Sequence, residues 1–121
     1  MQSVDIAVTG DPASARTAAQ RALEARKFRV SWQDEWTGVA ERGNKVANAV
    51  VGALAQYFKV GVRVMGGEAG QAIVRLERQS RGYMGGAVGA MRTKKNMERL
   101  RDDLAGAFTQ QGILAWVKEQ P

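Results

Sequence analysis

The sequence predicts an α+β fold: a mainly antiparallel sheet of four to five strands with two long helices packed on one face. The expected order is β-α-β-β-[short α]-β-β-α. Three observations predict it. Segments near residues 3–9, 28–32, 56–65 and 71–79 alternate apolar and polar side chains with period two. Two longer segments, after Asp11 and before Gly112, carry apolar residues at helical spacing. Strand segments come in neighbouring pairs rather than alternating with helices as in doubly wound folds. At 121 residues, a single domain spanning 1–121 is expected.

The first strand is Ser3-Val4-Asp5-Ile6-Ala7-Val8-Thr9, with Val4, Ile6 and Val8 on one face. Gly10 breaks it. Asp11-Pro12 then starts a helix, because Asp caps free N–H groups and Pro fits the first helical position. That helix runs to about Lys27, with Ala15, Ala19, Ala22, Leu23 and Ala18 inward and Arg16, Gln20, Glu24 and Lys27 outward. Its narrow, Ala-rich face suits close packing on a sheet.

Phe28-Arg29-Val30-Ser31-Trp32 alternates again, Asp34-Glu35 makes a turn, and residues 36–42 return as a third strand weakened by Gly38. Residues 43–55 fit a short amphipathic helix through Val46, Ala49, Val50, Ala53 and Leu54, or the start of a long strand. In 56–65, Phe58, Val60, Val62 and Val64 share the inward face. The glycine-rich turn 66–70 leads to a partner strand, 71–79, with Ala72, Val74 and Leu76 inward. Arg63, Arg75 and Glu77 fall on the opposite, wetter face. The second long helix starts between Ala87 and Thr93 and ends near Gln111, burying Met97, Leu100, Leu104, Ala107 and Phe108. Gly112 suits the position just past a helix end. Residues 113–117 form a last short strand or an apolar tail.

The chain has no cysteine and no histidine. Disulfides, thiolate chemistry, Ser-His-Asp and Cys-His mechanisms, and zinc sites of the Cys/His type are excluded. No Asp/Glu cluster has the spacing of a magnesium or calcium site, and no cofactor is expected. Met1-Gln2-Ser3-Val4-Asp5 lacks the pattern of a secretory signal, and the weakly polar stretch 46–55 is too short to span a membrane. A cytoplasmic protein is expected.

Charge is unevenly placed. Eight of the eighteen positive side chains lie between Arg75 and Arg101, opposed only by Glu77 and Glu98. That surplus of six equals the net charge of the whole chain. Arg81, Arg92, Lys94, Lys95 and Arg99 surround a glycine-rich stretch containing Gly85, Gly86 and Gly89. Glycine lets backbone N–H groups approach an anion, and a following helix N-terminus favours negative charge. The spacing matches neither G-x-x-x-x-G-K-[ST] nor G-x-G-x-x-G. The competing reading is tight packing: Gly85-x-x-x-Gly89 and Gly86-x-x-x-Ala90 could meet the small residues of Ala49–Ala53, within one chain or in a homo-oligomer using 46–55 and 85–90.

Trp36-Thr37-Gly38, Glu41-Arg42-Gly43, Ala55-Gln56-Tyr57 and Gly85-Gly86-x-x-Gly89 resemble a pattern in small uncharacterised actinobacterial proteins. That resemblance implies no activity. The element order is also similar to helix-grip and TATA-binding-protein-like architectures, a likeness of fold that does not fix function.

Nucleic acid is one possible partner, since Lys95 and Arg99 share a helix face, although Glu98, Asp102 and Asp103 interrupt the stripe. Tyr57 and Tyr83 are the aromatics expected at the surface. An apolar ligand could be gripped among Phe28, Trp32, Trp36, Phe58 and Met97, which as plain core need no ligand at all. Met65, Met84 and Met91 could add an adaptable apolar surface. Asp34, Glu35, Glu41 and Glu77 are the carboxylates nearest a cleft, and nothing distinguishes them from solvated charge. The sequence therefore favours a non-enzymatic binding or assembly module. Its basic surface, comprising Arg81, Gly85, Gly86, Gly89, Arg92, Lys94, Lys95 and Arg99, would engage an anionic ligand, a polyanion such as nucleic acid, or an acidic protein. The alternative is a helix-grip-like carrier of a small apolar molecule.

Overall fold

The computed structural model describes residues 2–43, 58–79 and 86–121, with the backbone alone for 86–93. Among these residues the elements are β1 (Ser3–Thr9), α1 (Pro12–Ala25), β2 (Arg29–Trp32), β3 (Thr37–Arg42), β4 (Phe58–Gly66), β5 (Gln71–Arg78), α2 (Gly86–Gln110) and β6 (Leu114–Gln120). The strands form one antiparallel sheet in the order β2-β3-β4-β5-β1-β6. The α+β architecture is as expected, with one strand more than four to five. The segment read as short helix or strand at 43–55 lies, beyond Gly43, outside the described residues.

Topology follows from where the helices carry the chain. α1 takes it from β1, near one side of the sheet, to β2 at the opposite edge. α2 carries it from β5 over β1, so β6 runs parallel to β5 with β1 between them. α1 rests on β2, β4 and β5, α2 on β1, β5 and β6, and the helices touch each other.

The core is the sheet face beneath the helices. The registers align Val8 with Ala72, Ile6 with Val74 and Val64, and Val4 with Leu76 and Val62. These residues are buried together with Phe58, Val60, Ala15, Ala19, Leu23, Met97, Leu100, Leu104 and Phe108. Small side chains on α1 let its axis approach the sheet. Burial of this kind contributes roughly 25 cal/mol per Å² of apolar surface.

Both helices begin or end as local chemistry dictates. Asp11 caps α1, its Oδ1 accepting from Ser14 N–H at 2.7 Å, with Pro12 in the first turn. α1 ends through a pair of reversed hydrogen bonds: Phe28 N–H to Leu23 O at 3.1 Å and Lys27 N–H to Glu24 O at 3.0 Å. α2 ends in the same way, with Ile113 N–H to Phe108 O at 2.9 Å and Gly112 N–H to Thr109 O at 3.0 Å. This Schellman arrangement requires a left-handed residue, here Lys27 at φ 71° and Gly112 at φ 74°.

Two expected surfaces differ from the reading above. Arg16 and Gln20 are not simply solvated. Arg16 lies over the Trp32 ring, 4.3 Å from its centroid, and Gln20 Oε1 accepts from Trp32 Nε1 at 2.8 Å. Trp32 pairs with Gly38, where an added Cβ would lie 2.7 Å from Ser31 O and 2.9 Å from Trp32 Cε3. Gly38 therefore leaves room for the indole of the neighbouring strand.

The helix-free face is also only partly wet. Asp5 is 5% exposed there, and Ala7 is buried. Register sets Lys118, Asp5, Arg75 and Arg63 in one row across β6, β1, β5 and β4. Arg63 and Arg75 face each other, an unfavourable juxtaposition unless each finds a counter-charge. Arg75 turns to Asp5, donating from Nε at 2.6 Å and Nη2 at 3.0 Å, while Arg63 Nε reaches Glu77 Oε1 at 3.6 Å. The next row, Trp116-Ala7-Ile73-Met65, is apolar.

Candidate basic surface

Ion pairing divides the cationic run into spent and unspent charges. Arg75 is held on the helix-free face by Asp5, a hydrogen bond that raises its pKa above the ordinary guanidinium value. Arg101 is held by Asp102 at 2.9 Å and by Glu119, and the Asp102 hydrogen bond likewise leads the rise in its pKa. Both are thus engaged by carboxylates.

Lys94, Lys95 and Arg99 are exposed. They sit on the exposed side of α2, while Asn96, Met97, Leu100 and Leu104 turn inward. Helical spacing puts Lys95 and Arg99 one turn apart on a shared face. Gly86 and Gly89 form part of the first turns of α2, earlier than the expected helix start. Arg92 lies on the same helix, its side chain outside the described residues. Arg81 and Gly85 lie outside them too, as do Tyr57, Tyr83 and Met84.

Arg42 is the residue the sequence reading missed. It ends β3 in phase with buried Ala40, which aims it at the helix side of the sheet. Its guanidinium lies over the Phe28 ring, 4.7 Å from the centroid. Burial, and then the like charge of Arg99, hold its pKa below the ordinary guanidinium value, with Asp103 acting in the opposite direction. Asp103 is shared, since its Oδ1 lies 3.5 Å from Arg26 Nη2. Arg29 is directed elsewhere, donating from Nη2 to Gly43 O at 2.6 Å. The signal available in sequence was a charged residue on the inward phase of a strand.

The arrangement is therefore two arginines, on α2 and at the end of β3, with the like charge of Arg99 acting on Arg42, and two exposed lysines on the helix that carries Arg99. Such a surface attracts phosphate or carboxylate groups through charge-assisted hydrogen bonds. Further along α2 the sign reverses: a groove of about 490 Å³ between the helices is lined by Ala22, Ala25, Arg26, Asp102, Asp103 and Gly106.

Two of the carboxylates considered for catalysis, Asp34 and Glu77, have structural surroundings. Asp34 Oδ1 accepts from Trp36 N–H at 2.9 Å and Thr37 N–H at 2.8 Å, closing the β2–β3 turn. The Trp36 hydrogen bond leads in holding its pKa below the ordinary value, the opposite of what a proton-shuttling carboxylate at neutral pH needs. Glu77 faces Arg63. Phe28, Phe58 and Met97 are buried in the hydrophobic cluster, the two rings edge to face at 6.1 Å, with Trp32 and Trp36 packed against it. Among the described residues no helix is long and apolar enough to cross a membrane, and no three acidic side chains gather as a metal site.

The chain matches no protein-family model and no curated protein sequence.

Proposed function

We propose that this protein is a non-enzymatic binding module whose partner is a polyanion, engaged by Lys94, Lys95 and Arg99 of α2 together with Arg42 of β3. The observation that carries this reading is the joint exposure of Lys94, Lys95 and Arg99 on α2, with the like charge of Arg99 acting on half-buried Arg42 and Asp103 already shared by Arg26. Like charges that act on each other are relieved by an incoming anion. The flanking lysines are exposed on a helix rather than enclosed, which suits an extended chain of phosphates better than a small anion. Arg81 and Arg92 extend the same run in sequence. Phosphate contacts of this kind are sequence-independent and strongly salt-dependent.

A small apolar ligand finds less support, because Phe28, Phe58 and Met97 are occupied with one another and with the core.

The test is fluorescence anisotropy of a labelled single-stranded oligonucleotide at low salt, with wild type and the Lys95→Glu/Arg99→Glu variant. Wild type should bind, and the double reversal should weaken binding at least tenfold. Equal affinity in both proteins would defeat the proposal.

A further inference from the structure

We propose that β6 is a self-association edge: it pairs antiparallel with β6 of a second copy of this chain, about a two-fold axis through Val117.

The two edges of the sheet are unlike. β2 has four residues, and its Trp32 is covered by Arg16 and Gln20. β6 has seven residues, stays in register with β1 from Trp116 to Gln120, and has no strand on its outer side among the described residues. Long unguarded edges are templates for strand pairing. The large hydrophobic side chains exposed among the described residues are Trp116 and Val117, each 38% exposed. They are consecutive, so one lies on each face of the sheet.

The strand's chemistry selects a second copy in one register. In an isologous antiparallel pair both copies present the same face, so the two-fold passes through a residue. An axis at Lys118 would set ammonium against ammonium and Val117 against Glu119. An axis at Glu119 would oppose two carboxylates. An axis at Trp116 would set Lys118 against Leu114, beyond the β-bulge, and leave its ammonium no aromatic ring to meet. An axis at Val117 opposes no like charges. It sets valine against valine on the helix side. On the other side it places each Trp116 ring against the partner's Lys118, a cation–π pairing made twice. Glu119 is already neutralised by Arg101.

The consequence reaches across the whole helix-free face. In this register the apolar row Met65-Ile73-Ala7-Trp116 continues into the charged row that begins at the partner's Lys118. The exposed edge of the apolar row thereby gains a cover that the described residues of the single chain do not supply.

The test uses sedimentation of the full chain and three variants. Wild type should show a concentration-dependent dimer. Val117→Lys and Val117→Glu, each alone, should be monomers, because like charges then face each other at the axis. An equimolar mixture of the two should recover the dimer, which a merely misfolded variant could not do. The chain contains no cysteine, so Val117→Cys, Trp116→Cys and Lys118→Cys each supply a single thiol. A short bis-maleimide should join copies at 117 faster than at 116 or 118. A wild type that stays monomeric, a dimer that survives both charge variants, or cross-linking that peaks away from 117 would each overturn the proposal. The first outcome would leave the edge to a strand from a different protein.

Discussion

The edge strands β2 and β6 are entered through the same device and finished in opposite ways. Each follows a helix that ends in a Schellman motif, through Lys27 for α1 and Gly112 for α2. Each carries a tryptophan. Trp32 is closed in by Arg16, Gln20 and Gly38, whereas Trp116 stands 38% exposed on the outermost strand. A side chain of the same type thus serves core packing at one edge and remains available at the other. The difference is made by what its neighbours supply: a hydrogen-bond acceptor, a guanidinium and a missing Cβ for Trp32, and only small Ala7 directly across from Trp116.

Substitutions that break this contrast should rank accordingly. Trp32→Ala should cost about 3 kcal/mol in chemical denaturation, since it removes a large packed ring and leaves Gln20 and Arg16 without their contact. Gly38→Ala attacks the same packing from the other strand and should cost about 2 kcal/mol, because the new methyl meets backbone and indole at sub-contact distance. Trp116→Ala should cost about 1 kcal/mol or less. Equal losses for the two tryptophans would erase the contrast between the edges.

Near β6, Asp5→Ala should cost about 2 kcal/mol by removing both acceptors of Arg75 at a buried position. The helix ends sharpen the comparison from a smaller effect. Lys27→Gly should stabilise the protein by about 1 kcal/mol, and Gly112→Ala should destabilise it by a similar amount, because only the left-handed conformation differs in ease. Thermal melts of the pair should move in opposite directions.

The smallest effect is expected at the β2–β3 turn. The folded pKa of Asp34 lies below the ordinary 3.8. The stability it contributes is therefore fully present above that value and is lost as pH falls through the folded pKa. Asp34→Asn should flatten stability below about pH 4 and leave its slope at neutral pH unchanged.

Much of the fold was legible because burial imposed period two on β1, β4 and β5 and helical spacing on α1 and α2. Gly112 announced its own role. Lys27 did not, since nothing in a lysine signals a left-handed residue. β6 was hard to read because the bulge near Ala115 breaks its alternation and because an edge strand can leave Trp116 and Val117 partly exposed on both faces. Exposed aromatics were expected at Tyr57 and Tyr83, not at Trp116. At the basic surface the helical part, Lys94, Lys95 and Arg99, was visible as a charge run. Arg42 was not, because it comes from a strand distant in sequence, and only the fold lets the charge of Arg99 act on it. Nor could the sequence show that Arg75 and Arg101 are engaged by Asp5, Asp102 and Glu119.

The measurement that tests the central claim most directly is an amide-resonance titration with a short single-stranded oligonucleotide at low and moderate salt. Shifts should centre on Lys94, Lys95, Arg99 and Arg42, and affinity should fall with salt with a logarithmic slope of about −3, as expected for four phosphate contacts on a single strand. Absence of shifts at low salt, or shifts centred on the helix-free face with no salt dependence, would contradict it.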